Sequence, residues 1–136
     1  MARPFIFPVS VYYEDTDHSG VVYHANYLKY FERAREHVLG RDELTRMYNE
    51  DGLGFVVYKA NLSFHEGAVF GDELEVRTTI TVESDYRAVF HQACWRPGGR
   101  KAMVEGEIHL VCVKNNQLVR LPAPVMDRAR STGAVD

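Results

Sequence analysis

The sequence predicts an α+β domain in which one long helix lies against an antiparallel sheet. Three observations carry this reading. Apolar residues recur with a helical period after Tyr27, and apolar and polar residues alternate with period two after Gly54. The alternating segments are joined by turns too short for parallel crossovers. A chain of 136 residues suits one domain covering residues 1–136. Splitting it would leave each half without an adequate core. A hydrophobic fraction of 46% with 26% charged residues fits a folded globular chain rather than a disordered one.

Taken in order, Val9 to Glu14 is short, apolar and β-branched, and reads as a strand. Asp15-Thr16-Asp17-His18-Ser19-Gly20 breaks it with loop-forming residues. Tyr27, Tyr30, Phe31, Ala34 and Val38 then recur at helical spacing, with Lys29, Glu32, Arg33 and Glu36 between them, and Gly40 is a natural stop. A shorter helix is expected over Asp42 to Tyr48, before the Asp51-Gly52 turn. Val56 to Phe64 alternates as a strand, and Gly71-Asp72 turns the chain. Leu74 to Glu83 alternates so cleanly that one wet and one buried face are expected. Arg87 to Trp95 and Ala102 to Val113 follow as strands, and Asn115-Asn116 returns the chain into Leu118 to Leu121. Pro122 and Pro124 are expected to end regular structure, with a flexible tail from about residue 128 to 136. A single long helix covers one face of such a sheet. The other face and the edges need protection, so a homodimer or homotetramer is expected.

Charge and cysteine content exclude some functions. Sixteen Lys and Arg against 19 Asp and Glu give a formal charge of -3, without the basic surplus of a nucleic-acid binder. Cys94 and Cys112 form no CxxC pair and lie in apolar strand segments, where they read as buried small hydrophobes. The N-terminal apolar run is short and interrupted by Pro4 and Pro8, unlike a signal peptide, and no segment approaches a membrane span. A cytoplasmic location is expected.

The chemistry-bearing stretch is Tyr12-Tyr13-Glu14-Asp15-Thr16-Asp17-His18-Ser19-Gly20-Val21-Val22-Tyr23-His24, with three carboxylates, two histidines and a glycine between a strand and a helix. Asp15-x-Asp17-x-Ser19-Gly20 imitates the start of an EF-hand loop. Its twelfth position is Asn26 rather than a bidentate Glu, and a strand precedes it, so calcium is not supported. Asp17, His18 and His24 match no defined transition-metal spacing. Helix capping and a tight turn at Gly20 would account for the same residue types without any catalysis.

Val11-Tyr12-Tyr13-Glu14-Asp15-Thr16-Asp17, Gly20-Val21-Val22-Tyr23-His24, Asn26-Tyr27 and Phe31-Glu32-Arg33-Ala34-Arg35 together resemble the hotdog-fold thioesterases of the 4-hydroxybenzoyl-CoA thioesterase type, in their YbgC-like branch. Weaker resemblance runs through Phe55-Val56-Val57, Gly71-Asp72-Glu73-Leu74 and Val111-Cys112-Val113. It covers roughly Phe5 to Pro122. The fold it implies is a long central helix wrapped by an antiparallel sheet.

The resemblance implies hydrolysis of an acyl-CoA or acyl carrier protein thioester, with neither cofactor nor metal. Asp17 matches the family's catalytic carboxylate, as general base on water or as direct nucleophile. A helix beginning near Val22 would aim a free N–H, that of His24, at the carbonyl oxygen. Gly20 would let the backbone approach the thioester. Tyr13 and the His24 side chain match residues flanking the carboxylate. Val22, Tyr23, Tyr27, Tyr58 and Arg87 complete the expected substrate contacts, and His65, His91 and His109 read as ordinary strand residues. The sequence departs from the family pattern at Ser84-Asp85-Tyr86, where a basic turn would meet coenzyme A phosphates; Arg87, Arg96, Arg100 and Lys101 stand near turns instead. A hotdog enoyl-thioester hydratase would also use an Asp and a His, but closer together and on another segment. A non-catalytic acyl-thioester-binding or scaffold module would not need the intact Asp17 loop.

Overall fold

The computed structural model describes residues 3–133. Six strands and three helices run in the order β1 (Phe5–Ser10), α1 (Asn26–Leu39), α2 (Arg41–Asp51), β2 (Gly54–Phe64), β3 (Glu73–Val82), β4 (Arg87–Trp95), β5 (Val104–Lys114), β6 (Gln117–Val119) and α3 (Ala123–Thr132). All pairings are antiparallel, and the sheet order is β1-β3-β4-β5-β2. β6 folds back on the end of β5, on the edge opposite β2, since Val113 pairs with both Gly54 and Leu118. This is the α+β arrangement that the alternating segments predict.

The core lies between α1 and one face of the sheet. α1 buries Tyr27, Tyr30, Phe31, Ala34 and Val38, the stripe read from the helical period. Opposite it stand Val76, Ile80, Phe90, Cys94, Val104 and Ile108, kept in register by the β3–β4 and β4–β5 ladders. One row differs. Thr78, Gln92 and Gly106 are cross-strand neighbours directly beneath the helix. A Cβ on Gly106 would lie 2.9 Å from Cε2 of Phe31, so only glycine lets the helix come this close. The buried Gln92 amide donates to the Phe31 carbonyl (2.9 Å) and the Thr78 hydroxyl (3.1 Å), and accepts from Arg35 Nη1 (3.0 Å). This polar stitch satisfies groups that would otherwise be costly to bury.

Four elements differ from the sequence reading. β1 starts at Phe5 and ends at Ser10, while Tyr13–Asp15 forms a single 3-10 turn instead of continuing the strand. Pro8 is tolerated because β1 is an edge strand. Val22 belongs to a β-bridge with Thr16, and α1 begins at Asn26. β2 carries a bulge between Val57 and Lys59 that breaks its alternation. Pro122 and Pro124 start α3 instead of ending regular structure, since proline is compatible with a helix's first turn. α3 therefore occupies much of the segment expected to be a flexible tail, burying Val125 and packing against α1 and β3; residues 134–136 lie outside the described residues. No helix among the described residues is long and apolar enough to cross a membrane. Cys94 and Cys112 are buried free thiols, and burial pushes Cys94 up to about 12.

Candidate active site

The chain leaves β1 through Val11, whose N–H donates to the Asp72 carbonyl at 2.9 Å. Asp15 then closes a tight turn. Its Oδ2 accepts the Tyr12 N–H (2.8 Å), and its Oδ1 accepts Asn26 Nδ2 at the start of α1 (2.8 Å). The Asp15 carbonyl accepts the Tyr23 N–H at 2.9 Å. Asp15 thus ties the loop to the helix and is structural, with both carboxylate oxygens engaged. The buried Tyr30 hydroxyl lies beside it; burial first, and the Asp15 carboxylate second, hold that hydroxyl protonated far above the ordinary phenol range.

A narrow hairpin follows. Asp17 N–H donates to the Val21 carbonyl (2.9 Å), and Gly20 N–H donates to the Asp17 carbonyl (3.0 Å). Gly20 has φ +85, a conformation that other residues rarely adopt. Asp17 Oδ1 accepts the Ser19 N–H at 2.8 Å, which fixes the carboxylate without using its second oxygen. The hairpin is pinned to the β2–β3 connection by the Val21–Val69 bridge and by the Val22 N–H to Ala68 carbonyl bond (2.9 Å). Tyr27 holds the same connection from the helix, its hydroxyl accepting the Ala68 N–H at 3.3 Å. Burial raises the Tyr27 hydroxyl's pKa, so it stays protonated.

The helix start is open. Asn26 N–H donates to the Tyr23 carbonyl (2.8 Å) and Leu28 N–H to the Ala25 carbonyl (3.1 Å). The N–H groups of His24 and Ala25 have no intramolecular acceptor among the described residues. Unpaired donors at the positive end of a helix suit an anion or a developing oxyanion.

These pieces form a cleft of about 290 Å³ lined by Asp17, Val21, Val22, His24 and Tyr27 from the hairpin and helix start and by Phe64 to Gly67 from the end of β2 and beyond. Asp17, His24, Val22 and Tyr27 all line this one cleft. Gly20 shapes the turn, and the Tyr23 ring lies 4.5 Å from that of His24 at the rim. Three expected residues lie elsewhere in this chain. Tyr13 is 77% exposed, with its ring against Phe70 outside the cleft. Tyr58 and Arg87 sit together on β2 and β4, 5.9 Å from ring centre to guanidinium, beside His109. Arg96 is engaged by Asp72 (2.9 Å) and Glu66 (3.3 Å).

Phe64, His65 and Glu66 also line the cleft, although the sequence reading gives His65 only an ordinary strand role and assigns Phe64 and Glu66 none in the site. His65 lies one residue beyond β2 rather than within it. The clue was present in His65-Glu66-Gly67, a second polar cluster ending a strand at a glycine. A Cβ on Gly67 would lie 3.0 Å from Val21, so a small residue is required where the two loops meet. Among the described residues, no three His, Cys, Asp or Glu side chains gather as a metal site.

A helix laid on an antiparallel sheet, with a carboxylate and a helix start lining one cleft, is a hotdog arrangement. The chain belongs to the thioesterase-like superfamily, whose sequence pattern matches residues 11–129. It is similar to the acyl-CoA thioester hydrolase YbgC of Escherichia coli, with 37% identity over 110 residues, 80% of this chain and 81% of that one. It is also similar to the acyl-CoA thioesterase YbgC of Haemophilus influenzae, with 42% identity over 94 residues, 68% of this chain and 69% of that one. Among solved structures, the 1,4-dihydroxy-2-naphthoyl-CoA thioesterase Slr0204 from Synechocystis shares the fold with a TM-score of 0.85 at 24% identity, over 97% of this chain and 99% of that one. A 4-hydroxybenzoyl CoA thioesterase in complex with 4-hydroxybenzoyl CoA does so with a TM-score of 0.83 at 21% identity, over 94% and 99%.

Proposed function

We propose that this chain hydrolyses acyl-CoA thioesters to the free acid and thiol, with Asp17 as the reacting carboxylate and the His24 N–H as oxyanion donor. The observation that carries this reading is the shared cleft: a carboxylate with one uncommitted oxygen opposite unpaired N–H groups at a helix start. The thioester carbonyl enters with its oxygen toward those N–H groups. Asp17 either draws a proton from an attacking water or attacks the carbonyl carbon itself. Negative charge grows on the carbonyl oxygen, where a preorganised donor is worth about 100- to 1,000-fold in rate. Collapse expels the thiolate. The His24 ring, edge-on to Phe64 at 6.3 Å, walls the cleft, and Tyr13 buttresses the turn from outside.

The working unit in this reading is a homodimer or a larger homo-oligomer. β2 is an edge strand, and its Val56, Val57 and Tyr58 are all exposed, as an unpartnered strand of a monomer should not be. Tyr58 and Arg87 then meet substrate from a second copy rather than from the copy supplying Asp17. Arg100 and Lys101, exposed in the β4–β5 turn, are available to carrier phosphates, whether the carrier is coenzyme A or the pantetheine of an acyl carrier protein. Reduced, buried thiols suit the cytoplasm.

Thiol release from a panel of short, long and aromatic acyl-CoAs tests the reading. Asp17→Asn is near-isosteric and keeps the turn, and it should lower turnover by about 100- to 10,000-fold. Hydrolysis by that variant at the native rate would remove Asp17 from the chemistry.

A further inference from the structure

We infer that His65, held by Glu105, is the acid that protonates the departing thiolate. The inference rests on thioester hydrolysis at Asp17 and adds the second proton transfer that this reaction needs.

His65 lines the same cleft as Asp17. Its backbone is fixed, because the His65 and Glu66 N–H groups both donate to the Met103 carbonyl, at 2.8 and 3.1 Å. Its ring is fixed as well, with Nε2 at 3.0 Å from Glu105 Oε2. Glu105 lies on β5 directly across from Ser63, so the β2–β5 ladder sets the pair's position. The other ring nitrogen, Nδ1, has no partner among the described residues.

A carboxylate on one imidazole nitrogen orients the ring and leaves the second nitrogen to act on substrate. His24 also lines the cleft, but its ring neighbours are the Tyr23 and Phe64 rings, and no carboxylate bonds to it. His109 has an acidic neighbour, Glu107 at 3.6 Å, but lies beside Tyr58 away from the cleft. Among the described histidines, only His65 combines a carboxylate partner with a place in the cleft that Asp17 lines.

On the water route the protons balance as follows. Water's oxygen bonds to the carbonyl carbon and one of its protons passes to Asp17. The tetrahedral oxyanion collapses, the C–S bond breaks, and its electron pair leaves on sulfur. The His65 imidazolium gives its Nδ1 proton to that sulfur. The proton held by Asp17 returns to His65 through solvent, which resets both groups. The products are the carboxylic acid and the thiol.

Leaving-group dependence tests this. An aryl thiolate departs without protonation, whereas an alkyl thiolate gains from it. His65→Gln should lower kcat/KM for an acyl-CoA by about 100-fold, the low end of general-acid effects because thiolates leave readily. For the S-phenyl thioester of the same acid the loss should shrink to a few-fold. Glu105→Gln should show the same pattern with a smaller loss. Because 45% of the His65 side chain is exposed, replacing it leaves the core untouched, and an unchanged thermal midpoint checks this. Equal losses on both esters, or no loss on either, would overturn the assignment. Asp17→Asn should lose activity on both esters alike. If it retains activity on both, hydrolysis at Asp17 itself fails, an outcome distinct from failure of His65 alone.

Discussion

Tyr27→Phe isolates the contact that holds the two cleft walls together. The Tyr27 hydroxyl is buried and accepts the N–H of Ala68, a residue with no exposed surface. The Ala68 carbonyl already takes the Val22 N–H at 2.9 Å, so Ala68 cannot turn toward another acceptor without releasing the hairpin that carries Asp17. Phenylalanine keeps the ring packing and removes only the acceptor. An orphaned buried N–H costs about 1–3 kcal/mol, and the 3.3 Å bond is long, which puts the expected loss in the lower half, about 1–2 kcal/mol. Urea unfolding should show a lower midpoint with an unchanged slope. Because the loosened segment is a wall of the site, kcat/KM for thioester hydrolysis should fall at temperatures where the variant is still fully folded. A loss below about 0.5 kcal/mol together with native kinetics would show that the hydroxyl does not clamp the site.

Two further perturbations follow from the packing and charge. Gly106→Ala should destabilise by about 1–3 kcal/mol, since its Cβ would sit 2.9 Å from Phe31 Cε2; adding Phe31→Leu should recover part of that loss, and strictly additive losses in urea unfolding would contradict the proposed clash. Arg96→Gln should weaken the fold more at neutral pH than at pH 3. Burial pushes the Asp72 carboxyl up, but the Val69 N–H and the Arg96 guanidinium outweigh it and hold Asp72 below the usual carboxylate range. A depressed folded pKa contributes stability above the unfolded value, and that contribution is lost as pH falls through the folded one. Urea midpoints of both proteins at pH 7 and pH 3 should therefore converge in acid, and a gap independent of pH would remove Asp72 as the cause.

Local signals were legible in the sequence, and long-range ones were not. β4 is read to the residue because turn-formers bracket Arg87–Trp95 on both sides. The body and end of α1 are read because its stripe is continuous and Gly40 ends it, while its start, expected near Val22, falls at Asn26. α3 was hidden because Pro122 and Pro124 carry a stop signal and a start signal in the same letters, and only packing of Val125 against the core decides between them. The bulge at Tyr58 leaves no mark in the alternation. The site divides in the same way. Asp17, Gly20 and His24 lie within one loop, so their proximity is written in their spacing. His65 reaches them through the Val21–Val69 bridge, and reaches Glu105, 40 positions away, through the β2–β5 register. Neither approach leaves a trace in the neighbouring residues.

Asp15 and Asp17 show how one short loop gives the same side chain two jobs. Asp15 spends both oxygens on the Tyr12 N–H and the Asn26 amide, and its carbonyl on the Tyr23 N–H. A carboxylate so engaged has no free lone pair aimed at substrate, but it sets where α1 begins and therefore where the His24 N–H lies. Asp17 accepts one N–H, from Ser19, leaves its second oxygen uncommitted among the described residues, and lines the cleft. In the proposed reaction, Asp15 would thereby govern the separation of carboxylate from oxyanion donor without touching the thioester. Preorganisation matters most where charge develops, because a donor already in place spends no free energy on reorienting during the reaction. On the proposed reading, two carboxylates two positions apart are complementary parts of one device, Asp15 setting the helix start and Asp17 supplying the attack.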